Sequence, residues 1–162
     1  MHYRTLGKTG LLEPEVGFGA WGIGGMPPGR GGYGPTDDAE SLQALEAAFD
    51  LGGNFIDTAD AYGDGHSEEL IGRALVGQRD RVIVATKFGH RPTPDGQEPV
   101  PREPIVRELL EASLKRLNTD HVDVYQWHDC DLEQARAHDL AATMSKLKEE
   151  GKIRHAGISV YG

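Results

Sequence analysis

Cysteine is nearly absent from this chain. Cys130 is the only one in 162 residues, so no intrachain disulfide framework exists and a reducing, cytoplasmic setting is expected. Long apolar runs are missing too, so no membrane span is expected, and residues 1–10 lack the apolar core of a secretory signal. Positive charge is scarce: 17 basic residues face 26 acidic ones, for a net charge of −9. With no Lys/Arg cluster to override that balance, a nucleic-acid partner is excluded. The run His128-Asp129-Cys130-Asp131 has no second His or Cys group at ligand spacing. Neighbours on an extended chain also point to opposite sides, so no metal site is expected. Domain boundaries, internal repeats and low-complexity tracts are likewise missing, and residues 1–162 read as a single domain. The hydrophobic share, 38%, is enough for a core and too high for a disordered chain.

What is present is a strict alternation. Residues 3–6 and 11–14 are short extended runs around Gly7-Lys8-Thr9-Gly10, a β-hairpin pattern. Residues 15–19 read as the next strand, followed by a glycine-rich loop over 22–34. Leu42, Leu45, Ala48 and Phe49 then recur at helical spacing behind an Asp37-Asp38-Ala39-Glu40 start, and Gly52-Gly53 ends that helix. Residues 54–58 form a strand. Ser67 opens a helix with Leu70, Ile71, Ala74 and Leu75 on its apolar face, stopped by Gly77. Residues 81–87 form another strand. Four prolines over 89–101 make a long loop. Pro104 marks the first turn of a helix that stops at Asn118. Residues 122–127 form a strand. Asp131-Leu132-Glu133-Gln134 resembles a capping box for one helix running to Gly151, and 155–159 is the fifth strand of the series.

Strict β-α alternation means a parallel sheet with right-handed crossovers. An open doubly wound sheet and a (β/α)₈ barrel cut after its fifth strand both fit. Gly17-Phe18-Gly19-Ala20-Trp21-Gly22 matches G-x-G-x-x-G, which alone suggests a dinucleotide fold. That mechanism needs a helix to start at the third glycine. Ile23-Gly24-Gly25-Met26-Pro27-Pro28 cannot be that helix, so the segment reads as a strand end and a loop built for close backbone approach.

The chemistry-bearing residues sit just past strand ends: Asp57, Tyr62 in the turn after it, Lys87 and His128. Singly each has an ordinary explanation, such as a turn former, a snorkelling lysine or a backbone-bonded histidine. Together they make an acid, a phenol, an amine and an imidazole at the carboxyl ends of consecutive strands, where βα scaffolds carry catalytic groups. Asp57 and Lys87 would each be costly to bury without the other. A cation beside a phenol stabilises its phenolate, which makes the phenol a usable general acid.

Phe55-Ile56-Asp57-Thr58-Ala59-Asp60-Ala61-Tyr62-Gly63 resembles the signature of the aldo-keto reductases. Tyr3-Arg4-Thr5-Leu6-Gly7-Lys8-Thr9-Gly10-Leu11 resembles their opening. Ala85-Thr86-Lys87-Phe88-Gly89, Asp123-Val124-Tyr125-Gln126-Trp127-His128 and Gly151-Lys152-Ile153-Arg154-His155-Ala156-Gly157-Ile158-Ser159 resemble their later blocks, in the same order. This resemblance favours a parallel (β/α) barrel of TIM type, present as about five strands and four helices behind the hairpin. It implies NADP(H)-dependent reduction of aldehydes or ketones, with Asp57, Tyr62, Lys87 and His128 as the catalytic tetrad and Tyr62 as the acid. Gly19, Ala20, Trp21, Asp57 and Ser159 would meet the cofactor, although Val160 stands where the family usually has asparagine. Trp21 and Trp127 would wall the pocket of a small carbonyl substrate.

A complete barrel of this type takes about 250 residues. The sequence therefore reads as the amino-terminal portion, without the later strands that hold the adenosine 2′-phosphate in the family, and weak or no activity is expected of it alone. A non-catalytic binding or regulatory module on the same fold is the alternative. An open barrel interior, lined by Ile56, Val82, Val84, Val122 and Val124 in some alternation, and edges at 15–19 and 155–159 lead to an expectation of self-association and loose packing.

Overall fold

The computed structural model of the chain describes residues 1–26, 32–89, 102–130 and 132–160. A two-stranded antiparallel hairpin, β1 (Tyr3–Thr5) and β2 (Leu12–Pro14), opens the chain. Thr9 shapes its turn by donating from Oγ1 to the Leu6 carbonyl (2.6 Å) and accepting from the Leu11 N–H (3.1 Å).

Five parallel strands follow: β3 (Phe18–Gly19), β4 (Phe55–Asp57), β5 (Ile83–Phe88), β6 (Val122–Trp127) and β7 (Ile153–Ile158). They lie side by side in chain order. A doubly wound sheet reverses its strand order at a switch point. An unreversed order of right-handed crossovers keeps the helices on one face, as in a barrel. The architecture is thus an α/β partial barrel of TIM type.

Between the strands run α1 (Asp38–Asp50), α2 (His66–Ala74), α3 (Glu103–Leu117), α4 (Leu132–Ala137) and α5 (Leu140–Glu149). The Asp37 carboxylate caps α1 by accepting from the Glu40 N–H (2.9 Å). Asn118, in the left-handed region at φ 51°, stops α3.

Three expectations are corrected in detail. The strand expected over 15–19 shrinks to Phe18–Gly19, because only Phe18 and Gly19 find partners, Ile56 and Asp57. Helix α2 ends at Ala74, before Gly77, where Gln78 Nε2 donates to the Ala74 carbonyl (2.7 Å). The single helix expected up to Gly151 is two, because Asp139 adopts φ 48° and breaks the ladder before buried Leu140. The start of its expected capping box, Asp131, and most of the loop over 89–101 lie outside the described residues.

The core lies between the sheet and its helices. Ile56, Val84, Phe88 and Tyr125 are fully buried there with Leu45, Leu70, Ile71, Leu110 and Leu147. Each such side chain contributes roughly 1.5–3 kcal/mol of transfer free energy. Ile56, Val82 and Val84, expected in part inside the barrel, belong to this cluster on the helix side, whereas Val122, two residues before Val124, keeps the concave face and pairs in register with Ile153. The period of two along a strand explains the difference: one step in register exchanges the faces. The concave face instead carries Phe55, Asp57, Ala85, Val124, Gln126 and His155, lining an open hollow of about 360 Å³ that the hairpin turn also borders.

Candidate active site

Lys87 is the centre of the site. Alternation along β5 puts it on the concave face with Ala85, whose register partner on β4 is Asp57. Its ammonium is almost buried, with the side chain 6% exposed. Lysine has three N–H donors. Here one goes to Asp57 Oδ1 (2.5 Å), one to the Thr58 carbonyl (2.9 Å) and one to the Tyr62 hydroxyl oxygen (3.2 Å). The Asp57 carboxylate offsets the charge and stays partly solvated at 39% exposure, so neither ion is buried alone. The Tyr62 oxygen accepts from Lys87, which leaves its own proton to be donated elsewhere.

Tyr62 owes its place to a short 3₁₀ turn, Tyr62–Gly65, held by backbone on both sides. The Thr58 N–H donates to the Ala85 carbonyl (2.9 Å) and the Asp60 N–H to the Lys87 carbonyl (3.1 Å), extending the sheet ladder past β4. The glycine-rich segment meets the turn from the other side. A Cβ on Gly63 would collide with the Gly24 carbonyl oxygen, and one on Gly24 would come within 2.9 Å of the Gly63 nitrogen. This close approach is the use of the loop after the G-x-G-x-x-G match. At its third glycine only a three-residue 3₁₀ turn, Gly22–Gly24, begins.

His128 follows β6 directly, 9% exposed, with its N–H donating to the Phe88 carbonyl (2.8 Å). Its ring meets the Tyr62 ring edge-on, centroids 5.8 Å apart. Trp21 lies across the other side of Tyr62 at 6.3 Å, 40% exposed and packed on Tyr33 at 4.6 Å. Asp57, Tyr62, Lys87, His128 and Trp21 are therefore brought together at the carboxyl end of the sheet.

The remaining expected residues are placed differently. Gly19 ends β3 at the exposed edge, with open space where a Cβ would stand. Ala20 is fully buried; its N–H donates to the Asp57 carbonyl (2.8 Å) and its carbonyl accepts from Ser67 Oγ (2.8 Å), so it holds the loop together. Ser159 is half-buried just beyond β7, its N–H bonded to the Trp127 carbonyl (2.9 Å). Trp127 does not wall this site. It is 7% exposed in the helix-side core, stacked at 6.3 Å on Phe88, because alternation turns it away from Gln126 and His128.

Two supporting residues have a role in the site that the sequence does not reveal, although Thr58 lies within the family signature. Thr58 Oγ1 and Ser67 Oγ lie 2.9 Å apart, both fully buried, and tie the β4 end to α2 and Ala20. In the sequence Ser67 stands out only as a helix opener. Among the described residues, no three His, Cys, Asp or Glu side chains cluster so as to hold a metal ion. No helix among them is long and apolar enough to cross a membrane.

Comparison with known proteins bears on this arrangement. The family model described as "Aldo/keto reductase family" matches residues 15–162. Aldo-keto reductase YhdN of Bacillus subtilis is 39% identical over 99% of this chain and 47% of its own length. The holo form of aldo-keto reductase AKR11C1 from Bacillus halodurans superposes with a TM-score of 0.83 at 32% identity, covering 99% of this chain and 50% of that one. An aldo-keto reductase from Klebsiella pneumoniae in complex with NADPH gives 0.72 at 31% identity, covering 94% and 47%. The chain thus spans about half the length of the relatives it matches.

Proposed function

The chain belongs to the aldo/keto reductase family, and from that premise we propose that it carries the proton-donating site of an NADP(H)-dependent carbonyl reductase. The observation that carries this reading is the Lys87 ammonium, whose third donor is spent on the Tyr62 oxygen. An aldehyde or ketone oxygen within hydrogen-bond reach of the Tyr62 hydroxyl receives the phenol proton. The phenolate left behind is stabilised by Lys87, itself anchored by Asp57 and the Thr58 carbonyl. His128, edge-on to the Tyr62 ring, orients the carbonyl from the second side, and Trp21 shields it from water.

The residues fit a nicotinamide. Asp57 keeps a solvent-facing side, the backbone at Gly19 borders open space, and Ser159 offers a hydroxyl at the same end of the sheet. Gly19, Trp21, Asp57 and Ser159 would hold that ring. When bound, the reduced nicotinamide supplies the hydride that enters the carbonyl carbon.

The test is consumption of NADPH with a simple aldehyde, measured with the chain alone and with the complementary half of YhdN supplied in trans. Weak or no turnover is expected alone, a gain on complementation, and loss of that gain in Tyr62→Phe. Retention of most turnover by Tyr62→Phe overturns the reading.

A further inference from the structure

Behind the Tyr62 turn, on the helix side of the sheet, lies an ion pair that the proton-transfer scheme does not use. Glu68, on the first turn of α2, is fully buried, and Arg116, near the end of α3, is 14% exposed. Arg116 Nε donates to Glu68 Oε2 (2.7 Å), and its terminal nitrogen to Ser113 Oγ (3.2 Å). The second carboxylate oxygen, Glu68 Oε1, accepts from Thr86 Oγ1 (2.6 Å).

The neighbours of this pair are what make it informative. Thr86 immediately precedes Lys87 on β5. Glu68 comes three residues after Gly65, which closes the turn that Tyr62 opens. The Arg116 side chain runs directly beneath that turn: a Cβ on Gly65 would lie 2.6 Å from Arg116 Cδ and 2.8 Å from Nε. Arg116 is itself placed from the other end, because a Cβ on Gly72 of α2 would collide with its backbone carbonyl. One carboxylate thus bridges the strand that carries the ammonium and the arginine that supports the phenol's turn. The three donors of Lys87 all go elsewhere, so the pair acts on Lys87 and Tyr62 through the backbone that carries them.

We propose that Glu68 and Arg116 are positioning residues that fix the height of the Tyr62 turn over Lys87, and so the contact between phenol and ammonium. Its consequence for turnover rests on the reading of Tyr62 as the proton donor; the geometric proposal does not.

The test uses the 162-residue chain, labelled with ¹³Cζ-tyrosine at its five tyrosines and paired with the unlabelled complementary half of YhdN, the Tyr62 signal being the one lost in Tyr62→Phe. Lys87→Met should displace the Tyr62 signal by removing its hydrogen-bond donor. In Glu68→Gln, which preserves shape, and in Arg116→Met, the Tyr62 signal should already be displaced. Adding Lys87→Met should then move it by less than roughly half as much, the mark of coupling between the sites. Arg116→Lys, which keeps the cation, should restore part of the coupling. In the complemented enzyme, Glu68→Gln should lower kcat by about tenfold or more with the KM for NADPH little changed.

Folded Glu68→Gln and Arg116→Met chains that keep the full Lys87→Met displacement would overturn the proposal. Collapse of all tyrosine signals in every variant, Arg116→Lys included, would overturn it as well, since the pair would then be a requirement of the fold. Turnover that survives Tyr62→Phe would refute the proposed function and leave the signal coupling standing, so the two failures are distinguishable.

Discussion

The two faces of the same sheet have opposite characters. The helix side carries Ile56, Val84, Phe88, Tyr125 and Trp127, with the buried polar residues Thr86 and Asp123 among them, and is sealed by α1, α2, α3 and α5. The concave side carries Asp57, Lys87, Gln126 and His155, with Phe55, Ala85 and Val124 between them, and lies open. Adjacent residues alternate between the faces, so Lys87 has the core residue Phe88 as its neighbour. Under the proposed function, stability and chemistry are divided between faces. The apolar core can form without a closed barrel, because it lies outside the barrel. The groups proposed to be reactive lie on the open face.

The largest expected effect that sharpens this division is on the concave side. Tyr62→Phe should lower carbonyl reduction by about 10²–10⁴-fold, the usual range for a general acid. Its melting temperature and NADPH affinity should stay near those of the unaltered chain. A large drop in melting temperature would mean that the concave face also carries stability.

On the helix side, Phe88→Ala removes a fully buried ring stacked at 4.9 Å on Tyr125. It should cost about 3–5 kcal/mol in denaturant unfolding. Val124→Thr, nearly isosteric and half-buried on the concave face, should cost within about 0.5 kcal/mol. Equal costs at the two positions would break the comparison.

The sheet's edges test what that openness does. Among the described residues β3 and β7 each pair on one side only, and Ile158 is 38% exposed on β7. The chain alone should show heterogeneous oligomers in light scattering. Ile158→Lys should raise the monomer fraction without lowering the melting temperature. A sharp monomer peak from the unaltered chain would show that the open edges are already harmless.

The smallest effect concerns His155 on the concave face. Burial, helped by the Lys148 and Arg154 cations and opposed by Asp123, holds its imidazole below the ordinary value of 6.5. A lowered value favours the neutral form in the folded chain. The unfolded chain therefore takes up the proton first as pH falls, and stability declines below about pH 6.5 until the folded imidazole also protonates. NMR titration should place the midpoint under 6.5, and lower still once the complementary half covers the hollow. A midpoint that does not move on complementation would mean that the concave face remains wet.

Much of the scaffold is legible in the sequence because strands and helices differ in hydrophobic period. The apolar run over Val122–Trp127 matches β6 as it stands, and the pattern for α3 comes within a residue of its start, with its Asn118 stop. Asp57, Lys87 and His128 are legible because they sit at or just past strand ends, Tyr62 because it lies in the turn after one, and all four because they match a family pattern. The break at Asp139 is not, since an aspartate in a polar stretch carries the same composition inside a helix or between two. Trp127, expected in the pocket wall from the family resemblance, turns to the core because strand register gives it the face of Phe88, which its own sequence does not reveal. Glu68 and Arg116 are not singled out by the sequence, being 48 residues apart with nothing local to couple them.

The sequence by itself determined the order of the strands, the apolar faces of the helices and the four polar groups at or beyond the strand ends, because these follow from local periodicity and residue chemistry. Only the tertiary structure decided which sheet face became core, which tryptophan met Tyr62 and which buried pair lay beneath the Tyr62 turn. Those outcomes depend on register between strands and on contacts across tens of residues, where a shift of one position exchanges inside for outside.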